Sequence, residues 1–121
     1  EAARAAFPGR RIVAAFQPHL YSRTRDFAAD FGDALATGGD VVLLTDIYKA
    51  REAPIAGVSS ALIADAAARA GRAPAWTGTR AEVTAALAAT VRPGDVVLTL
   101  GAGDITAVGP ELLAAIGGGD A

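Results

Sequence analysis

The sequence predicts an α/β fold: an open, mostly parallel, Rossmann-like sheet with helices on both faces. Four short apolar runs alternate with four amphipathic stretches, which is the pattern of strands joined by crossover helices. The apolar runs are continuous rather than alternating, so each strand is expected to be buried on both faces. At 121 residues the chain is long enough for a substantial core, and we expect a single domain over residues 1–121.

The strands are expected at the four apolar runs, Ile12–Phe16, Val41–Thr45, residues 73–77 and Val96–Leu100. The third run is weak because Pro74 interrupts it. If the sheet is parallel, the loops that follow these strands meet at one edge, where open α/β sheets bind their ligands.

Four helices are expected from the spacing of apolar residues. The second has Ser59 or Ser60 as its N-cap, the third begins with a capping box of Thr79 and Glu82, and the fourth has Pro110 in its first turn. Their inward faces are expected to be, in chain order, Phe27-Phe31-Ala34-Leu35, Leu62-Ile63-Ala66-Ala67, Val83-Leu87-Val91 and Leu112-Leu113-Ile116.

Composition excludes several classes of function. The 11 basic and 13 acidic residues are mixed along the chain, so no basic stripe indicates a nucleic-acid partner. No apolar run reaches about 18 residues, so no membrane span is expected. The absence of cysteine rules out a disulfide scaffold and a thiolate metal site, and it fits a cytoplasmic protein. No metal-ligand cluster and no catalytic triad is found, so neither metal ligands nor catalytic residues are expected in this chain.

The loop at residues 16–26 is the most polar connection in the chain. It holds the only histidine of the sequence, His19, together with Arg23, and a loop that merely connects a strand to a helix does not need these polar side chains. A guanidinium offers two parallel N–H donors to a carboxylate, and an imidazole adds a third donor. His19 and Arg23 are therefore candidate binding residues. The alternative is that His19 caps backbone groups beside Pro18 and that Arg23 is simply solvated.

The loops after the second and fourth strands carry further candidates. Tyr48, Arg51 and Glu52 lie in a connection of about 13 residues, a length that is usually functional. Gly101 and Gly103 let the backbone approach a ligand closely, and the adjacent Asp104 would attract an ammonium group and repel a phosphate. An ordinary solvated loop and a purely structural tight turn are the respective alternatives.

Four segments carry a family resemblance: FQPHLYSRT at 16–24, DIYKAREAPIAGVSS at 46–60, RPGDVVLTLGAGDI at 92–105 and VGPELL at 108–113. In that order they resemble the C-terminal domain of the Mur ligases, and within that family the enzymes that join L-alanine to UDP-N-acetylmuramate. The resemblance implies one Mur ligase C-terminal domain excised from a three-domain, ADP-forming amide-bond ligase of bacterial peptidoglycan synthesis. The N-terminal and central domains would be its missing partners.

The resemblance also implies the chemistry. UDP-N-acetylmuramate is activated as an acyl phosphate, which the amine of L-alanine attacks, while ATP and Mg²⁺ are bound mainly by the absent central domain. The isolated domain is not expected to catalyse. His19 and Arg23 would meet the amino acid, and Tyr48, Arg51 and Glu52 would help to select it.

One position departs from the family pattern, because Leu20 stands where many members have a second arginine. Either Arg23 acts with help from Arg51, or Leu20 merely packs. Two other functions stay open: a ligase of the same fold that adds a peptide to UDP-N-acetylmuramate, and a stand-alone Rossmann-like domain that binds a small ligand.

Overall fold

Four parallel strands form one sheet, in the order β3-β2-β1-β4. They are β1 (Ile12–Phe16), β2 (Val41–Thr45), β3 (Trp76–Gly78) and β4 (Val96–Leu100). The structure is a computed structural model and describes residues 5–48, 51–101 and 104–117. The helices are α1 (Tyr21–Gly38), α2 (Ala61–Arg69), α3 (Arg80–Thr90) and α4 (Val108–Gly117), and a 3₁₀ turn at Asp104–Ala107 precedes α4. The predicted α/β class and parallel sheet are confirmed.

Both faces of the central strands β1 and β2 are covered, as their continuous apolar runs indicate, whereas the edge strands β3 and β4 are only partly buried, contrary to the expectation for every strand. Residues that alternate along β1 and β2 point to opposite faces, and each face has its own cluster of buried side chains. The cluster under α3 and α4 comprises Val13, Ala15, Leu43, Val83, Leu87, Ile105, Val108 and Leu112. The cluster under α1 and α2 comprises Leu35, Val42, Leu44 and Ile63. Each fully buried valine, leucine or isoleucine of these clusters contributes about 1.5–3 kcal/mol.

The third strand differs from its prediction, since it covers Trp76–Gly78 rather than residues 73–77. Pro74 has no backbone N–H, and the first bond to the neighbouring strand comes from the Ala75 N–H to the Val42 carbonyl, at 2.8 Å. Pairing therefore begins only beyond the proline. The three residues of β3 form the short outer edge of the sheet.

The helix signals are largely confirmed. The Glu82 carboxylate accepts hydrogen bonds from the Thr79 N–H at 3.1 Å and from its hydroxyl at 2.9 Å, which completes the expected capping box. Ahead of α2, the Ser59 hydroxyl accepts the Ala61 N–H at 3.2 Å. Pro110 lies in the first turn of α4. No helix in the described ranges is both long and apolar enough to cross a membrane.

Two predicted helix faces were partly wrong. In α1, Ala34 is exposed and Phe27 is 45% exposed, while Gly32 is buried against α2. The helix departs from helical geometry at Phe27, and this shifts the buried face away from the predicted one. In α4, Leu113 is 68% exposed and Ile116 is 40% exposed. The buried face of α4 runs through Val108 and Leu112, four residues apart, and Leu113 lies about 100° further round the helix.

Candidate functional site

The order of the strands creates a cleft at one edge of the sheet. The chain builds β1, β2 and β3 in one direction and then returns to place β4 on the other side of β1. The loops that leave β1 and β4 therefore diverge, and ligands of open α/β sheets bind at such a switch point. An open cleft of about 350 Å³ lies here, lined by Phe16, Gln17, His19, Leu20, Arg23, Phe31 and Gly101.

Gln17 joins the two diverging loops. Its backbone N–H donates to the Leu100 carbonyl at 2.9 Å, and its side-chain oxygen accepts the Ile105 N–H at 3.1 Å. The residue is only 2% exposed, so these bonds form away from water. Gln17 was not among the predicted site residues, although a polar residue directly after a buried strand was a signal that could have found it.

Gly101 packs against this junction so closely that no side chain fits. Its φ is 141°, and an added Cβ would lie 2.7 Å from the Gln17 carbonyl oxygen. The glycine therefore allows the chain leaving β4 to touch the chain leaving β1. Of the other predicted residues of this turn, Gly103 lies outside the described residues. Asp104 begins the 3₁₀ turn, and its side chain lies outside the described part of the chain.

Leu20 has a backbone conformation that a leucine rarely adopts, with φ 69° and ψ 140°, and it is the one non-glycine residue with positive φ in the described ranges. Its N–H donates to the Tyr48 carbonyl at 2.9 Å. Its carbonyl accepts the Thr24 hydroxyl at 3.0 Å and the Thr24 N–H at 3.2 Å. Such strain costs on the order of 1–3 kcal/mol and is found mainly where the surrounding structure enforces a functional geometry.

His19 and Tyr48 join the loop after β1 to the loop after β2. The two residues form an isolated parallel bridge, and the Tyr48 N–H donates to the Pro18 carbonyl at 2.8 Å. Their rings stack with centroids 5.8 Å apart and planes inclined by 17°. The imidazole is thereby held at the mouth of the cleft by both backbone and side-chain contacts.

Glu52 comes from the same β2 loop and binds the start of α1. Its carboxylate accepts the Ser22 N–H at 3.0 Å. Hydrogen bonds from the Ser22 side chain and from the backbone of Ser22 and Tyr21 lower the pKa of Glu52, and the charge of Arg25 lowers it further. The negative charge thus sits at the positive end of the α1 dipole, where it is stabilising.

Arg23 supplies the positive charge of the cleft. It lies in the first turn of α1 and is exposed, and within the described ranges its guanidinium forms no hydrogen bond or ion pair. Phe16 and Phe31, whose ring centroids are 5.2 Å apart, form an apolar wall of the same cleft. Arg51 is exposed but does not line the cleft. The arrangement suits a small ligand with a carboxylate at one end and an apolar group at the other.

The donor set does not suit a metal. Over the described ranges, no three His, Cys, Asp or Glu side chains converge in a way that could hold an ion. The sequence also lacks a G-x-x-x-x-G-K-[ST] loop for nucleotide phosphates. Neither Mg²⁺ nor the triphosphate of ATP is therefore fitted by the residues described here.

Comparison with known proteins shows clear relatives. Residues 1–103 match the family model described as Mur ligase, glutamate ligase domain. The chain is 52% identical over 118 residues to a UDP-N-acetylmuramate–L-alanine ligase of Cutibacterium acnes, which covers 97% of this chain and 25% of that protein. It is 54% identical over 114 residues to the enzyme of that name from Anaeromyxobacter dehalogenans, and the match covers 94% of this chain and 24% of that protein. For the enzyme of that name from Streptomyces avermitilis the identity is 49% over 113 residues, and the match covers 93% of this chain and 24% of that protein. The chain thus spans about a quarter of the length of the curated relatives it matches.

Proposed function

The chain belongs to the Mur ligase family, whose domain model it matches over residues 1–103, and we propose that it is the C-terminal domain of a ligase that joins L-alanine to UDP-N-acetylmuramate. In this proposal the domain binds the amino acid. This activity belongs to peptidoglycan synthesis in the bacterial cytoplasm, on which cell-wall formation, cell shape and cell division depend. The domain works with N-terminal and central domains of the same enzyme and does not catalyse the reaction alone.

The observation that carries the proposal is the exposed Arg23 guanidinium beside an apolar wall at the topological switch point. L-Alanine has the complementary features, a carboxylate and a methyl group on one carbon. Its carboxylate binds Arg23 through two parallel N–H donors, and its methyl group faces Phe16 and Phe31. Leu20 packs in this wall rather than holding an anion, so the carboxylate has one arginine from this loop.

His19 completes the binding of the amino acid. Its ring, fixed on Tyr48, offers a further donor to the carboxylate or takes part in proton transfer near the amine. Held in this way, the amine points at the acyl carbon of activated UDP-N-acetylmuramate, and closure of the domains excludes water that would hydrolyse the acyl phosphate. The protein's contribution here is orientation and exclusion of water.

The remaining predicted residues have supporting roles in the proposal. Tyr48, which stacks on His19, and Arg51, from the same loop, help to select the amino acid. Gly101 brings the backbone close to the ligand. The predicted roles of Gly103, in close approach of the backbone, and of Asp104, in attracting the ammonium group, stay part of the proposal. ATP and Mg²⁺, which supply the phosphoryl transfer, are held mainly by the central domain; in the part of this chain that the structure describes, no three His, Cys, Asp or Glu side chains converge to hold the ion.

The test is phosphate release by the intact ligase with ATP, Mg²⁺ and UDP-N-acetylmuramate, titrated with L-alanine. The Arg23→Ala variant is expected to raise the KM for L-alanine by roughly 10- to 150-fold, because a charge-assisted anchor contributes about 1.5–3 kcal/mol. Arg69→Ala is the matched control, since Arg69 is also an exposed arginine, at the end of α2, and does not line the cleft.

An unchanged KM for L-alanine in Arg23→Ala would contradict the assignment of Arg23. Turnover with a tripeptide in place of L-alanine would assign the chain to a peptide-adding ligase of the same fold. Ligand binding without any turnover in the intact protein would favour a small-ligand-binding domain.

A further inference from the structure

Helix α1 begins without a cap of its own. The residue at its N-cap position is Leu20, which has no side-chain acceptor, and the first turn contains no acidic residue. An α-helix leaves its first N–H groups without partners, and a start that is not fully exposed normally needs a side-chain acceptor. Glu52, which lies 30 residues further along the chain from Ser22, supplies that acceptor at 3.0 Å.

The capped turn is the one that carries the anchoring arginine. Arg23 follows Ser22 directly, so the bond to the Ser22 N–H fixes the backbone from which the guanidinium extends. The bond also lies within a larger connection, because the Leu20 N–H and the Pro18 carbonyl both pair with Tyr48. The β2 loop therefore holds the β1 loop on both sides of His19.

We propose that Glu52 is a positioning residue, which holds Arg23 at the cleft by binding the N-terminus of α1 rather than by touching the amino acid. The inference rests on the proposed function, since it assigns Glu52 a part in the recognition of L-alanine. Hydrogen bonds from Ser22 and Tyr21 lower the pKa of the carboxyl group, and because the carboxylate is charged at neutral pH, its bond to the Ser22 N–H is stronger than one to a neutral acceptor.

The consequence is a specific pattern of coupling. Without Glu52 the first turn of α1 loses its acceptor and frays, and Arg23 leaves the geometry in which its two donors meet a carboxylate. Small errors of position are costly for an oriented reactant, so the KM for L-alanine should rise by roughly 10-fold. Because Glu52 acts through Arg23, it should have almost no further effect once Arg23 has been removed.

The experiment is a double-mutant cycle in the intact ligase with Arg23→Ala, Glu52→Ala and the double variant, read as the KM for L-alanine and for ATP. We expect Glu52→Ala to raise the KM for L-alanine by roughly 10-fold when Arg23 is present and by less than about 2-fold when Arg23 has been replaced. The KM for ATP should not change in any variant. Hydrogen–deuterium exchange over residues 20–24 of the intact protein should become faster in Glu52→Ala.

Two further variants keep the test decisive. Glu82→Ala removes the same kind of carboxylate cap from α3, away from the cleft, and should leave the KM for L-alanine unchanged. Glu52→Gln keeps the size of the side chain and an oxygen acceptor but loses the charge. If Glu52→Ala does not fold, Glu52→Gln serves in the cycle, with an expected rise of about 3-fold since charge-assisted bonds are roughly twice as strong as neutral ones.

The outcomes separate this inference from the proposed function. An unchanged KM for L-alanine in the Glu52 variant, despite faster exchange at residues 20–24, would reduce Glu52 to a structural cap and overturn the inference alone. Equal rises with and without Arg23 would show that Glu52 acts independently, which also overturns it. If Arg23→Ala itself leaves the KM for L-alanine unchanged, the proposed function of Arg23 fails, and the role of Glu52 fails with it.

Discussion

His19 and Tyr48 pair beyond the ends of the strands that lead to them. Their backbones form a parallel bridge, and their rings stack with centroids 5.8 Å apart and planes inclined by 17°. The pairing of β1 with β2 thus continues into the two loops that border the cleft. The imidazole is fixed before any ligand arrives, which lowers the entropy lost on binding.

The stack predicts a difference between two variants of Tyr48. Tyr48→Ala removes the ring under His19 and should raise the KM for L-alanine by about 2- to 12-fold in the intact ligase, since an aromatic pair contributes roughly 0.5–1.5 kcal/mol. Tyr48→Phe keeps the ring and should stay within about 2-fold of the wild type. Equal losses in both variants would instead assign the effect to the Tyr48 hydroxyl.

Gly32 predicts a large steric effect in the interface between α1 and α2. A Cβ at this position would lie 2.4 Å from the Ala66 Cβ and 2.6 Å from the Ala67 backbone nitrogen. Overpacking of this kind costs about 1–3 kcal/mol, so Gly32→Ala should lower the free energy of unfolding of the 121-residue chain by that amount in urea denaturation.

Gly109 is the control for this prediction. It also lies in a helix, α4, but an added Cβ would meet nothing within 4 Å. Alanine costs less conformational entropy than glycine in a helix, so Gly109→Ala should raise the free energy of unfolding, by about 0.5 kcal/mol. Destabilisation of the same size in both variants would show that the contact between Gly32 and Ala66 is not its cause.

The sequence predicts those parts of the fold that depend on local pattern. β1, β2 and β4 have their predicted bounds because each reads as an uninterrupted apolar run, although only β1 and β2 are buried on both faces and β4, at the edge of the sheet, is partly buried. The start of α3 has the predicted cap because Thr79 and Glu82 are only three residues apart. His19, Arg23 and Gly101 meet in one cleft because parallel strands end at one edge.

The parts that the sequence could not predict depend on contacts between distant residues. Gln17 bonds to a backbone group 88 residues away, and Glu52 to one 30 residues away, so no local spacing indicates either contact. The burial of Gly32 depends on α2, which follows after β2. The inward face of α4 was partly wrong because the 3₁₀ turn before it brings Ile105 into the core and sets where the helix begins.

Gly101 predicts a combined loss of stability and ligand binding. Gly101→Ala forces a side chain against the Gln17 carbonyl oxygen, 2.7 Å away, at a φ of 141°. The variant should lose more than about 2 kcal/mol of unfolding free energy and should raise the KM for L-alanine, because the chain leaving β4 must move away from the cleft. Urea denaturation and phosphate release measure the two effects.

Gly94→Ala separates the effect of φ from the effect of the contact. Gly94 has a φ of 89°, and an added Cβ there would meet nothing within 4 Å. Its replacement should cost about 1–2 kcal/mol from the left-handed backbone alone and leave the KM for L-alanine unchanged. If the KM for L-alanine rises as much in Gly94→Ala as in Gly101→Ala, the effect of Gly101→Ala does not come from displacement of the chain at the cleft.

Arg11 and Asp95 predict how the fold responds to acid. The Arg11 Nε donates to Asp95 Oδ1 at 3.0 Å and its Nη2 to Oδ2 at 2.6 Å, and the Asp95 side chain is only 7% exposed. The hydrogen bond from Arg11 lowers the pKa of Asp95 below its ordinary value of 3.8, and the backbone N–H of Arg92 lowers it further. A carboxyl whose pKa is lower in the folded state stabilises the fold above its unfolded pKa, and this stabilisation is lost as the pH falls through the folded pKa.

Asp95→Asn should therefore be less stable than the wild type at pH 7, and the difference should shrink as the pH falls below 3.8. The measurement is the free energy of unfolding of both chains in urea as a function of pH. Asp26→Asn is the control, because the Arg25–Asp26 pair has similar bonding but both side chains are about half exposed, and water and salt screen such pairs. The free energy of unfolding of Asp26→Asn should therefore differ little from that of the wild type at every pH. A pH-independent difference for Asp95→Asn would show that the carboxylate matters for its shape and hydrogen bonds rather than for its charge.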